Sequence, residues 1–278
     1  MSLDELLLQR IDELDDFTRK ILHLASVLGH TFTLLEISGI SMEAFAVVRD
    51  GNENEHVERI RTSLDAAVKE TILDVIVFPC QVQSKPFAMN LQSKLNEKSN
   101  HGIENPDKYY QFGHDTWRQK ILSLLLDSYK RDIHMYAASA IEMSIENLEE
   151  ADYRTKMRLF SHLQRSGNTR KAANLALHVG NNFTNLGLNL HSIRVYNEAV
   201  GMWRRNHTND EDDEYIAGIP LTLLESIDDE DLISIVKLLT AIGQALATLY
   251  RKIESGRAFE DALEVSVLHA YIIHVLSN

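Results

Sequence analysis

Thr71-Ile72-Leu73-Asp74-Val75-Ile76-Val77-Phe78 is the stretch on which the reading of this chain turns. It is short, apolar and rich in β-branched residues, as strands are. Most of the surrounding sequence instead places its apolar residues at helical spacing. Of the four prolines, Pro79, Pro86 and Pro106 follow this stretch closely and only Pro220 lies elsewhere, so long tracts on both sides are open to helix. Tyr109-Tyr110-Gln111-Phe112 supplies a second strand. Residues 79–108, with Lys85, Lys94, Lys98 and Lys108, read as a long loop between the two.

Toward the N-terminus the periodicity predicts a helix from Leu3 to Leu14, with Leu3, Leu6, Leu7, Ile11 and Leu14 on one face. Asp15 or Asp16 caps a second helix, which carries Ile21, Leu22, Leu24, Ala25 and Leu28 and stops at Gly29. Thr33 caps a short helix, Leu34 to Ser38, and Met42 to Val48 forms a separate piece. After an Asp50–Asn54 loop, His56 to Lys69 is helical again. Helices followed by a two-stranded hairpin make a winged-helix pattern over residues 1–127, with 79–108 as an enlarged wing.

Toward the C-terminus, helices are expected at about 115–126, 128–148, 152–166, 169–184, 189–205, 229–252 and 257–276, with an acidic loop over Asn209–Glu214. Residues 128–278 therefore form an all-helical second domain. Two joints there resemble each other: Gly167 precedes Ala172, Ala176 and Val179, and Gly187 precedes Ser192, Tyr196 and Ala199. Small residues at such places let paired helices approach closely. This stretch resembles a tetratricopeptide repeat. Gly180 takes the motif's glycine, Phe183 its tyrosine, Ser192 and Ala199 its two alanines, and Tyr196 its phenylalanine. Ala176 stands in place of the tryptophan and Arg204 in place of the proline. A weaker copy surrounds Gly243, Leu246, Ala258 and Ala262, with a longer turn at Glu254-Ser255-Gly256. The final helix around Tyr271 lacks the polar outer face that ends most repeat arrays, which points to a truncation or an interface.

Composition narrows the function. The net charge of −13 is shared by both halves, so the chain lacks the broad basic face that a phosphate backbone attracts. One cysteine, Cys80, rules out an internal disulfide and fits a reducing, cytoplasmic setting. No run of about 18 apolar residues predicts a membrane span. The twelve histidines do not fall at metal-ligand spacing with carboxylates or cysteine, and His269 and His274 are placed on different helix faces. There is no G-x-S-x-G elbow and no G-x-x-x-x-G-K-[ST] phosphate loop. No catalytic residue and no metal ligand is assigned.

The junction Phe112-Gly113-His114-Asp115-Thr116-Trp117-Arg118 carries the most information. A carboxylate at Asp115, near a helix N-terminus, is stabilised by unpaired backbone N–H groups and the macrodipole. The simplest reading makes Asp115 a cap and His114 a turn residue. A wider resemblance adds a second. Arg19 to Gly29 followed by Phe32 is similar to the start, and Phe112 to Arg118 to the end, of the winged helix in STAND-type signalling ATPases. The helical repeats resemble the arm that follows it there. AAA-linked adenylyl and guanylyl cyclases, AAA-linked sensor kinases and LuxR-type regulators share this order. In related nucleotide switches a Met-His-Asp triplet at this junction senses ADP, and here Gly113 takes the place of the methionine. The resemblance implies that His114 contacts a nucleotide phosphate while Asp115 holds the turn. ATP or ADP would then need an ATPase domain upstream, since this chain carries no cofactor site of its own.

The sequence thus predicts a mainly α protein without catalysis, whose partners are another protein or its own effector domain. Two alternatives stand beside the switch reading. One is a stand-alone repeat scaffold. The other is a DNA-binding winged helix, disfavoured by Glu58, Asp65 and Glu70 beside Arg59, Arg61 and Lys69 on its presumed recognition helix.

Overall fold

In the computed structural model, the described residues are 3–45, 53–77, 108–145, 147–148, 150–204 and 215–276. They form two compact units, Met1–Thr155 and Lys156–Asn278. The fold is mainly α-helical, with a small open sheet of three strands.

The first unit begins with α1 (Leu3–Asp12) and α2 (Asp16–Leu28). Asp15 is the N-cap of α2, and its carboxylate accepts from the Thr18 N–H at 3.0 Å. Hydrogen bonds from the Thr18 side chain and backbone hold that carboxyl below the usual aspartate range. Thr33 caps α3 through a reciprocal box: Glu36 N–H donates to the Thr33 hydroxyl at 3.2 Å, and Thr33 N–H donates to the Glu36 carboxylate at 2.9 Å. That helix is α3 (Leu34–Ala44), one continuous element, so the expected break between Ser38 and Met42 is absent. The physical reason lies across the helix. Gly39 sits where a Cβ would stand 3.7 Å from that of Ala140, so α3 packs closely on a later helix instead of turning. Residues 46–48 of the expected Met42–Val48 piece lie outside the described residues.

Next come α4 (Glu53–Lys69), β2 (Leu73–Val77), β3 (Lys108–Phe112), α5 (Asp115–Ser123) and α6 (Asp127–Ser144). The sheet has a third strand that the sequence reading left out: β1 (Thr31–Thr33), between α2 and α3. Its order is β1-β3-β2 and every pairing is antiparallel. Phe32 opposes Tyr110, and Val75 opposes Tyr110 from the other side. A three-residue strand has too short an alternation to register as a pattern, and only the pairing with β3 makes it one. Phe32 stacks on Tyr110 with ring centroids 6.0 Å apart. These rings join Ile21, Leu24, Ile37, Ile60, Leu64, Ile72 and Phe112 in one buried core. Packing of α6 on α3 carries the first unit past residue 127. The long loop expected at 79–108 falls outside the described residues up to 107, as does Cys80.

The second unit holds α7 (Tyr153–Ser166), of which it contains the part from Lys156, then α8 (Thr169–Asn185) and α9 (Asn189–Arg204). A short hairpin follows, β4 (Tyr215–Ile216) with β5 (Ile219–Pro220), then α10 (Leu221–Ser226), α11 (Asp229–Thr248) and α12 (Lys252–Leu276). The hairpin and α10 were not expected, and the acidic loop before them lies outside the described residues. By length and composition α11 is apolar enough to cross a membrane, but half of its apolar window is buried within the protein. It is the central helix of this unit, packed on α8, α9 and α12.

Candidate functional site

The candidate residues fall in two places: the strand-to-helix junction at His114 and the helical hairpins of the second unit.

At the junction, His114 itself is the N-cap of α5. Its Nδ1 accepts from the Thr116 backbone N–H at 3.1 Å. With Nδ1 taken up by this contact, Nε2 is the ring nitrogen left to meet a ligand. The residue is exposed. Asp115 is the first residue of the helix, with its carboxylate accepting from the Gln119 side-chain amide and standing 3.9 Å from Arg118. The division of labour is therefore the reverse of the simplest reading, with His114 as the cap and Asp115 in the first turn beside the positive end of the helix dipole. Arg118 ties the junction to α2 by donating from Nε to the Ser26 carbonyl at 2.9 Å. Gly113 is cramped: a Cβ there would lie 3.2 Å from the Asp74 carboxylate and 3.3 Å from the Thr71 carbonyl. Any larger side chain at this position needs its neighbours to give way.

On α4, the presumed recognition helix of the DNA-binding alternative, Arg59 and Arg61 are engaged. The Arg59 guanidinium lies 4.0 Å from the Phe17 ring centroid. Arg61 pairs with Glu58 at 3.1 Å. Beside them, Phe17, Phe45 and His56 form an aromatic cluster, and burial together with the Arg59 charge pushes the His56 imidazole down.

In the second unit the residues singled out from the sequence do come together, with distinct roles. Gly180 on α8 faces Tyr196 on α9 so closely that a Cβ would stand 2.1 Å from the ring. The Tyr196 hydroxyl donates to the Asn181 side-chain carbonyl at 2.8 Å, locking the ring over the glycine. Ser192 and Ala199 are fully buried, and the Thr184 hydroxyl donates to that of Ser192 at 3.0 Å. Phe183 packs against His191, with ring centroids 5.5 Å apart. Gly187 has nothing near its Cβ direction, so it does not serve close approach. Its φ of 73° ends α8 in a left-handed turn, and the Leu188 N–H reaches back to the Phe183 carbonyl at 2.8 Å.

The pair α11/α12 repeats this arrangement at a constant offset of 63 residues, from Gly180 to Gly243 and from Tyr196 to Phe259. A Cβ on Gly243 would lie 2.8 Å from the Phe259 ring. Ser255 and Ala262 are buried at the places of Ser192 and Ala199. Tyr250, with φ of 58°, takes the place of Gly187, and the Arg251 N–H bonds the Leu246 carbonyl at 3.1 Å. The longer turn expected at Glu254–Gly256 is thus absent. Those residues are helical, and the turn is as tight as the first. Sequence reading missed this because an exposed tyrosine carries no signal for left-handed backbone, whereas the spacing of Ser255, Phe259 and Ala262 from Gly243 did carry the register.

A groove runs between α9, α11 and α12, lined by Ile193, Asn197, Leu239, Ile242, Arg204 and Asp261 among others. Trp203, at the end of α9, is buried. Burial lowers the affinity of the Arg204 guanidinium for its proton and raises that of the Asp261 carboxyl. Arg204 donates from Nε to the Ala217 carbonyl at 2.7 Å, which fixes it at the groove edge. Among the described residues, no three His, Cys, Asp or Glu side chains converge as metal ligands do. No protein-family model, curated protein or solved structure matches the chain.

Proposed function

We propose that this chain is a non-catalytic regulatory and protein-binding segment. In this reading the first unit is a winged helix and the second a tetratricopeptide-like arm, in the order found in STAND-type signalling ATPases. The observation that carries the arm is the pair of hairpins in one register, each with a glycine under an aromatic ring. Two hairpins built alike and stacked side by side offer a continuous groove for a helix or peptide. The winged-helix assignment is supported by α2, α3 and α4 around a sheet of order β1-β3-β2. Engagement of Arg59 and Arg61 within the fold favours a protein partner over nucleic acid.

The nucleotide-sensing role of His114 rests on two features: the ring Nε2 of an exposed residue and the adjoining helix N-terminus, both suited to a phosphate oxygen. The phosphate would have to be presented by an ATPase domain, and the effector under control would be a cyclase, kinase or similar domain of the same cytoplasmic assembly. The test begins with the native transcript. A phosphate-loop domain reading in frame into Ser2 supports the switch. In that parent, His114→Ala is expected to leave the fold intact at a cost of about 1 kcal/mol for the lost cap, and to alter the response to ADP; an unaltered response sinks the sensing role. Partner binding retained with no ATPase in the transcript would instead favour a stand-alone scaffold.

A further inference from the structure

The 63-residue register also says what the outside of α12 lacks. On α9, Val200 is fully buried, because α11 packs across that face. The residue at the same place on α12 is Leu263, and it is 64% exposed. One turn on, Val267 is 60% exposed, and a further turn on Tyr271 is 65% exposed. These residues lie at i, i+4 and i+8 and form one apolar stripe on a well-formed helix. Single exposed apolar residues are ordinary, but a line of them at an interface position of a repeat is an unfilled contact.

The charge around the stripe selects the occupant. Between Ala258 and Tyr271 the chain carries Glu260, Asp261 and Glu264 and no Lys or Arg. Glu260 and Glu264 are exposed beside the stripe. A second copy of α12 laid against the first would set acid against acid. A helix with basic flanks would find opposite charge on the rim and apolar surface at the centre, as protein interfaces are built.

We propose that the Leu263–Val267–Tyr271 face of α12 is the docking site for an amphipathic helix of a partner, apolar on one side as α11 is and flanked by Lys or Arg. The proposal rests on the protein-binding reading above and names the chemistry of the partner. The helix takes on α12 the place that α11 takes on α9, extending the array by one element.

The test uses the full chain and two labelled synthetic helical peptides that share the apolar spacing of α11. One carries Lys at the flanking positions and the other Glu. Fluorescence anisotropy is expected to show the Lys peptide binding about tenfold or more tighter than the Glu peptide, with the gap narrowing as salt is raised. The double variant Leu263→Ser/Val267→Ser replaces exposed side chains, so its melting should match the parent while Lys-peptide binding weakens about tenfold or more. Glu260→Lys/Glu264→Lys should reverse the preference between the peptides. Three results overturn the proposal: equal binding of both peptides, binding that survives the double variant, or dimerisation of the chain that the double variant abolishes, which would make a second copy the occupant. None of these touches the response to ADP, so the switch reading stands or falls separately.

Discussion

The hairpins α8/α9 and α11/α12 place the same kinds of residue at the same places but hold them with different firmness. In the first, Tyr196 is 1% exposed and its hydroxyl is bonded to Asn181, so the ring above Gly180 has nowhere to go. In the second, Phe259 is 41% exposed over Gly243 and has no hydroxyl to anchor it. The first turn uses Gly187 for its left-handed residue, and the second uses Tyr250. One design can thus be read twice in a chain, strictly at a covered position and loosely at an open one, because packing constraint follows burial.

The sharpest way to break the comparison is at the glycines. Gly180→Val should cost about 3 kcal/mol or more, since the side chain must displace a buried, hydrogen-bonded ring. Gly180→Ala should cost less than the valine but clearly more than Gly243→Ala, for which about 1 kcal/mol is expected because Phe259 can swing outward. Denaturant melts of the four proteins check the order, and equal costs at the two glycines would mean that the hairpins are not held as differently as their burial implies. Ala199→Arg, which drives a charge into a fully buried place, should unfold the second unit outright.

The turns give smaller effects of opposite sign. A non-glycine residue in the left-handed region costs about 1 kcal/mol. Tyr250→Gly removes that cost from a side chain that is 86% exposed, so the protein should become more stable by about 1 kcal/mol. Gly187→Ala should lose about as much. If both variants melt like the parent, the two turns are not left-handed in solution.

The smallest effect distinguishes the first unit by pH. Burial pushes the imidazoles of His23 and His56 down from their ordinary value of 6.5, with Arg19 and Arg59 adding to the shift. The unfolded chain therefore takes up protons first as pH falls. The stability these residues contribute is complete above about pH 6.5 and is lost as the pH falls through their lowered values. Protection of the α2 amides, taken relative to their intrinsic exchange rates, should fall on acidification across this window, and His23→Gln should flatten the fall. An unchanged profile in the variant would mean that His23 does not titrate as its burial requires.

Much of this was legible in the sequence. Helical spacing placed α2, α8 and α9 closely, Thr33 named its own cap, and the positions counted from Gly180 lie together in space. Illegible were features that exist only between elements. Strand β1 is three residues long and is a strand only because β3 pairs with it. The break expected in α3 is closed by its packing on α6. A histidine rather than the neighbouring aspartate caps α5, a choice settled by backbone angle, not by residue type.

By itself the sequence determined the helical class, the acid excess, the lack of a phosphate loop within these residues and the register of the hairpins, because spacing and composition are local properties. Only the tertiary structure decided which glycine serves space and which serves backbone angle. It alone left Leu263 in solvent while covering Val200, since burial depends on what the rest of the chain brings alongside.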